Sequence, residues 1–254
     1  MQTRLEAPAQ EPRFISGHDA VELTGVRRAY PGPRGPVPAL DDVTLRVARG
    51  EVVALVGPSG CGKSTLLELV CALQRPDAGT VRSEPAVLMP QRDLLLPWLD
   101  AVGNAALPLR NRGVGKTQAR AAAAAHFPDF GLAGFERARP WELSGGMRQR
   151  VAFLRTFLAD KPVLALDEPF GALDVMTRQE MQEWLAGALL RAPRTVLLVT
   201  HDVEEALVLA DRVLILSRRP GRVVAELPVD LDRPRSRTDA RLVALRERAM
   251  EALR

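Results

Sequence analysis

Apolar and polar positions along this chain follow two periods, and the changes from one to the other mark out its elements. From Val21 to Val47, short alternating apolar segments are broken by Pro31-Gly32-Pro33 and Gly35-Pro36. That pattern predicts strands joined by a long turn, an antiparallel β layer. Glu51-Val-Val-Ala-Leu-Val56 reads as a buried strand, and Leu66, Leu67, Leu69, Val70 and Leu73 after it fall on one helical face. Residues from about 92 to 161 change character, with Ala-rich helical stretches and turn signals at Asn111-Arg-Gly113 and Pro140. Strand signals return at Val163 to Leu166, Thr195 to Val199 and Arg212 to Leu216. The runs at 163 and 195 are continuously apolar, as parallel strands buried on both faces are. A shorter β segment, Arg222 to Val229, and a charged helical stretch from Thr238 to Arg254 close the chain.

These elements predict an α/β fold: a core with an antiparallel β layer before it and an α-helical subdomain inserted between its strands. Residues 1–18 carry Pro, Gln and Glu without periodicity and read as a flexible tail. Residues 19–232 read as one domain, with the helical subdomain at about 92–161, and residues 233–254 as a charged helical tail. No internal repeat is visible.

Composition narrows the class. The 254 residues suffice for a buried core, and a mean hydropathy of −0.05 is that of an ordinary globular protein. No apolar run approaches the ~18 residues that span a bilayer, and the N-terminus lacks the layout of a secretion signal. A cytoplasmic protein is expected, with any membrane role supplied through a partner. Net charge is +4, and the lysines are Lys63, Lys116 and Lys161, the other basic residues being arginines. No basic run is interleaved with aromatics, so nucleic acid is not the expected partner. Cys61 and Cys71 lack the companions that a zinc site needs. A thiol at a helix N-terminus beside Lys63 is expected to have a lowered pKa, so Cys61 should react with thiol reagents and be protected by Mg-ATP.

Gly57-Pro58-Ser59-Gly60-Cys61-Gly62-Lys63-Ser64-Thr65 is a complete phosphate-binding loop of the form GxxxxGK[ST]. The glycines let backbone N–H groups curl around a β-phosphate, and Lys63 reaches the β/γ-phosphates. Ser64 offers a hydroxyl to Mg²⁺, and the following helix points its positive end at the anion. Such a pattern arises by chance in roughly one chain in a hundred of this length. Strand, glycine loop and helix in this order predict binding of a nucleoside triphosphate.

Two further constellations carry chemistry. Val163-Leu-Ala-Leu166 runs straight into Asp167-Glu168. In a P-loop protein the first carboxylate holds Mg²⁺ through its water shell, and the second orients or deprotonates the attacking water. The alternative is a charged turn at a strand end. Leu143-Ser144-Gly145-Gly146-Met147 precedes a run with helical apolar spacing, so Ser144 would cap a helix whose first N–H groups the glycines expose.

With these motifs, Gln91, Ala172-Leu173-Asp174 and His201 in this order, the chain resembles the nucleotide-binding subunit of ABC transporters from about residue 20 to 230. The resemblance implies an ABC ATPase, a P-loop NTPase core with the β layer and helical subdomain just described. It implies that Tyr30 stacks on adenine, that Gln91 links Mg²⁺ and the γ-phosphate to the helical subdomain, and that His201 senses the γ-phosphate. The catalytic set would be Glu168, His201, Lys63 and Gln91, with Ser64, Gln91 and Asp167 on the metal. ATP would lie between the loop of one subunit and the Ser144, Gly145 and Gly146 motif of a second copy, with Asp174 among the nucleotide-binding residues. The implied partners are that second copy, two copies of a membrane-spanning permease and, indirectly, a periplasmic or extracellular solute-binding protein. The subunit would sit on the cytoplasmic face of the membrane.

Met147 stands where the family more often has Gln, and Met89-Pro90 precedes Gln91 where an aromatic is common. Leu95-Leu96-Pro97-Trp98, the Leu143–Met147 motif and Asp167-Glu-Pro-Phe-Gly-Ala-Leu-Asp174 look most similar to importers of nitrate, sulfonate and taurine. Systems for thiamine-pyrimidine precursors share these features. Leu95 to Trp98 would lie where the permease docks, or form a hydrophobic turn within the subdomain. The rival from another class is a soluble ABC-type ATPase acting on nucleic acid or ribosomes, whose usual tandem cassettes, coiled-coil inserts and zinc modules are missing from this sequence. A P-loop kinase is disfavoured by the Ser-Gly-Gly motif and His201.

Overall fold

The computed structural model describes residues 19–253 except residue 192, so the tail read at residues 1–18 lies outside the described residues. In chain order the first half holds β1 (Asp19–Tyr30), β2 (Val37–Ala48), β3 (Val52–Val56), α1 (Lys63–Val70), β4 (Ala78–Ser83) and β5 (Ala86–Met89). The helical stretch follows as α2 (Ala101–Ala105), α3 (Leu107–Asn111), α4 (Lys116–Ala124) and α5 (Gly145–Phe157), with 3₁₀ turns at Pro128–Phe130 and Pro140–Glu142. Then come β6 (Val163–Asp167), α6 (Val175–Arg191), β7 (Thr195–Thr200), α7 (Val203–Leu209), β8 (Arg212–Leu216), β9 (Val223–Pro228) and α8 (Ala240–Ala252).

Two sheets result. The antiparallel layer runs β2-β1-β4, and the main sheet runs β5-β6-β7-β3-β8-β9, parallel except for its antiparallel edge strand β9. Alternation along the buried strands sorts side chains to the two faces. Val53 and Leu55 of β3 join Val163, Ala165, Leu197 and Val199 in a core shared with α1 and the antiparallel layer. Val52, Ala54 and Val56 join Leu164, Leu166, Val196 and Leu198 on the opposite face, against α5, α6 and α7. A sheet covered on both faces explains why these strands read as unbroken apolar runs.

Two elements escaped the periodicity. β4, Ala78–Ser83, is almost wholly exposed and carries no apolar signal, and β5, though apolar, is only four residues long. The helical face expected to include Leu73 ends sooner. Ala72 turns into the left-handed region at φ 55°, and Leu73 N–H closes back on the Glu68 carbonyl at 2.9 Å. This helix stop leaves Leu73 exposed.

The last helix is not loose. Leu242 and Ala249 of α8 are buried in the main core, and α8 packs on α7. Arg235 secures the segment before it by donating to the carbonyls of Leu207 (2.8 Å), Leu231 (2.9 Å), Ala210 and Val229. No helix among the described residues is long and apolar enough to cross a membrane.

Candidate functional site

The loop between β3 and α1 is shaped by its glycines, through backbone conformation at Gly60 and through conformation and close packing at Gly62. Gly60 (φ 76°) and Gly62 (φ 101°) hold left-handed conformations, and a Cβ on Gly62 would stand 2.7 Å from the Ala39 carbonyl oxygen. Gly221, far along the chain, closes the other side: its Cβ would meet the Cys61 carbonyl oxygen at 2.1 Å. Gly221 also donates to Ala39 at 2.8 Å and accepts from Asp41 at 3.0 Å, tying the turn before β9 to β2. Lys63 is 7% exposed, and its Nζ donates to the carbonyls of Gly57 (2.7 Å) and Pro58 (3.0 Å) across the loop. Because Gly62 offers no side-chain cap, the first N–H groups of α1 stay available to an anion.

Cys61 departs from its expectation. It is 1% exposed, and burial pushes its thiol up, with Lys63 only partly offsetting the effect. Proximity to a cation lowers a thiol pKa where the thiolate can be solvated; here desolvation dominates.

Asp167 and Glu168 leave the end of β6 in different directions. Asp167 is buried and hydrogen-bonded to Ser64. Burial, foremost, pushes its carboxyl above the ordinary carboxylate range, Glu168 and Glu68 adding to the rise, while Ser64 and Lys63 oppose it. Glu168 sits at φ 46°, with its N–H on the Val199 carbonyl at 2.8 Å. A left-handed conformation at a non-glycine residue costs on the order of 1 kcal/mol, and here it swings the carboxylate out of the sheet. Gln91 Nε2 donates to Glu168 Oε2 at 2.9 Å, and His201 Nδ1 lies 3.4 Å from Oε1. Four residues of the expected set, Gln91, Asp167, Glu168 and His201, thus converge at the carboxyl ends of β5, β6 and β7, where α/β sheets bind ligands.

Tyr30 ends β1 beside the loop. Its hydroxyl accepts from Gln74 Nε2 at 2.8 Å and lies 3.1 Å from Thr65 Oγ1. The Arg28 guanidinium stands over the ring at 5.1 Å from its centre and is itself held by Asp77 (2.6 Å) and Gln74 (3.0 Å). Sequence reasoning passed over Arg28 and Gln74, because their roles come from a turn after α1 returning to β1.

Ser144, Gly145, Gly146 and Asp174 form a separate group. Ser144 Oγ accepts from Met147 N at 3.2 Å and caps α5, as its position before the helix predicts. A Cβ on Gly146 would stand 3.3 Å from Leu173, so this helix start abuts the Leu173–Asp174 turn. Asp174 accepts from Thr177 N at 3.1 Å, and its bonds to Thr177 hold its carboxyl below the ordinary range. Among the described residues, no hydrogen bond joins this group to the loop at 57–65.

A small cleft beside Glu168 and His201 is completed by Gly171, Arg178, Thr200, Asp202 and Glu205. Glu205 was hidden in the sequence, since acidic residues in a first helical turn read as partners of the helix dipole. The Leu95–Trp98 stretch divides: Leu95 joins the core, whereas Trp98 is 68% exposed and Trp141 nearby in sequence to its anchor Arg139 is 70% exposed. Arg139 donates to the Trp98 carbonyl.

The donor set fits a magnesium ion. Ser64 hydroxyl, Asp167 carboxylate and the Gln91 amide oxygen, left free while its nitrogen engages Glu168, are hard oxygen ligands. Among the described residues, no cluster of three His, Cys, Asp or Glu could hold a metal ion.

Comparison with known proteins agrees with this geometry. Residues 40–171 match the ABC transporter family. The chain is 44% identical over 207 residues to the formylaminopyrimidine import ATP-binding protein ThiZ of Halalkalibacterium halodurans, covering 80% of this chain and 83% of that protein. It is 44% identical over 240 residues to the aliphatic sulfonates import ATP-binding protein SsuB 1 of Rhodococcus jostii, covering 92% and 93%. Import ATP-binding proteins for taurine and nitrate are similar to it at 43% and 41% identity. Among solved structures, the dimeric post-hydrolysis state of the ATP-binding cassette MJ0796, bound to ADP and Pi, superposes with a TM-score of 0.77 at 28% identity, over 84% of this chain and 100% of that one.

Proposed function

The chain belongs to the ABC transporter family and is an ATP-hydrolysing subunit coupled to transport; from that premise we propose which of its residues do the work and what it imports. The observation that carries the assignment is the meeting of Gln91, Glu168 and His201 beside the Lys63–Ser64–Asp167 group. The backbone of Gly57–Thr65, with Pro58, Ser59 and Cys61 as its bend, cradles the phosphates, and Lys63 moves from its carbonyl partners to the β/γ-phosphates. Tyr30, backed by Arg28 on one face, offers the other to adenine.

Mg²⁺ held by Ser64, Asp167 and Gln91 would neutralise charge on the phosphates. Glu168 orients and deprotonates the attacking water, and the Gln91 bond holds the carboxylate in place for it. His201, anchored at the end of β7, contacts the γ-phosphate. Ser144, Gly145, Gly146 and Asp174 act on the nucleotide of a second copy; among the described residues their bonds are local, Ser144 capping α5 and Asp174 holding Thr177. The dimeric form of the solved relative supports this pairing. Each copy engages one of two permease subunits at the cytoplasmic face of the membrane, with exposed Trp98 and Trp141 in the contact, and a solute-binding protein delivers cargo on the far side.

The cargo is a small sulfonate, taurine or nitrate, supported by the import proteins named for each, of which the SsuB 1 relative is matched over almost its whole length. A formylaminopyrimidine importer is the second reading, favoured by ThiZ at equal identity. The test is deletion of this chain in its host, followed by uptake of labelled ethanesulfonate, taurine, nitrate and formylaminopyrimidine. Loss of one uptake alone, restored by the wild type and not by Glu168→Gln, assigns the cargo. Unchanged uptake of all four, with the chain recovered on nucleic acid, overturns the import reading.

A further inference from the structure

Behind the turn that carries His201 stands a buried carboxyl that the hydrolysis outlined above does not use. Glu205, in the first turn of α7, is 4% exposed, and its Oε1 has no hydrogen-bond partner. Arg178 Nε, which shares the same cleft, is likewise buried and unpartnered. A carboxyl in this setting is costly compared with an apolar side chain of similar size, so its packing alone gives no reason for it.

Its contacts run in two directions. Toward the switch, the carboxyl faces the Thr200 hydroxyl, and Thr200 Oγ1 accepts from Asp202 N at 3.0 Å, bracketing His201 from both sides. Away from it, Glu205 Oε2 accepts from Gln182 Nε2 at 3.2 Å on α6. Gln182 is buried too, and its Oε1 accepts from Arg237 at 2.7 Å, in the segment between β9 and α8. Arg237 also holds Glu204 at 2.7 Å, and Arg246 of α8 reaches Glu204 at 3.5 Å. One polar chain therefore leads from the C-terminal segment, through α6 and α7, to the backbone on either side of His201.

We propose that Glu205 is a positioning residue for His201, and that Arg237, acting through Gln182, lets the C-terminal segment set how that histidine is presented. The proposal rests on the assignment of His201 to the nucleotide site, so its test must read the histidine without requiring hydrolysis. Charged groups surround Glu205 from each packed element: Arg178 on α6, Asp202 at the turn, Glu204 beside it, Glu168 and His201 across the cleft, and Arg237 beyond β9. Burial, foremost, pushes the Glu205 carboxyl up to about 7, so its charge changes within the working range of most cells.

The sequence holds three histidines, His18, His126 and His201, so imidazole signals of the labelled full chain are few enough to assign. Two variants suffice: Arg237→Ala, at a partly exposed site, and Glu205→Gln. Both are expected to move the His201 ring signals and leave those of His126 in place. Turnover of Arg237→Ala should fall by about threefold to tenfold with KM for ATP nearly unchanged. Should Glu205→Gln fail to fold, Arg237→Ala decides. Unmoved His201 signals in a folded Arg237→Ala protein, or moved signals with unaltered turnover, overturn the proposal. A wild type without ATPase activity would instead strike at the site assignment, leaving the ring signals to speak for the coupling.

Discussion

Gln91 donates its side-chain amide to the Glu168 carboxylate at 2.9 Å across 77 residues of sequence. The loop after β5 and the turn after β6 are therefore joined by one hydrogen bond at that carboxylate. Glu168→Gln keeps the shape and removes the base. Turnover should drop by about 100-fold or more, while ATP affinity stays within a few-fold of wild type and an ATP-dependent dimer accumulates. Phosphate release and size-exclusion chromatography with ATP measure both. Undiminished phosphate release would remove Glu168 from the role.

Gly221 touches the phosphate loop from a distant part of the chain. An alanine there would place Cβ 2.1 Å from the Cys61 carbonyl oxygen, a backbone atom that cannot swing aside. Gly221→Ala should destabilise the protein by about 1–3 kcal/mol and weaken ATP binding together, because the loop itself must shift. Urea melts and calorimetric titration with ATP check this; intact affinity would show that the loop tolerates displacement.

Thiol chemistry should be slow. Cys61 is raised by burial, and burial pushes Cys71 up to about 12 with Glu68 adding to the rise. Maleimide at pH 7 should label the folded protein at least about tenfold more slowly than an exposed cysteine peptide, and Mg-ATP should change that rate little. Fast labelling of Cys61 that Mg-ATP blocks would restore the reactive thiol.

Stability should fall as pH rises through the titration of Glu205. The unfolded carboxyl titrates near 4.5 and the folded one at about 7, so the folded protein keeps a proton that the unfolded chain has released. The contribution is full below pH 4.5, declines across that window and is gone above about 7. Glu205→Gln removes the decline and should exceed wild type at pH 8 by up to roughly 3 kcal/mol. Urea denaturation of both proteins at pH 5 and pH 8 tests this, and equal differences at the two pH values would refute it.

What could be read in advance follows the range of the interactions. β3, β6 and β7 announce themselves because burial on both faces of a sheet demands apolar side chains in unbroken runs. Ser144 as a cap and the Gly57–Thr65 loop are equally local: each needs its residue types within a few positions. β4 was silent, since an exposed edge strand is defined by the neighbour it pairs with rather than by its own side chains.

The sequence by itself determined the α/β order, the phosphate loop and the residue types available for hydrolysis, because those depend on local period and spacing. Only the tertiary structure decided that Gln91 and His201 meet at Glu168, that Gly221 seals the loop, and that Glu205 is buried behind the switch. It also reversed the acidity expected of Cys61. Solvent access and through-space contact set these properties, and both arise when distant segments pack together.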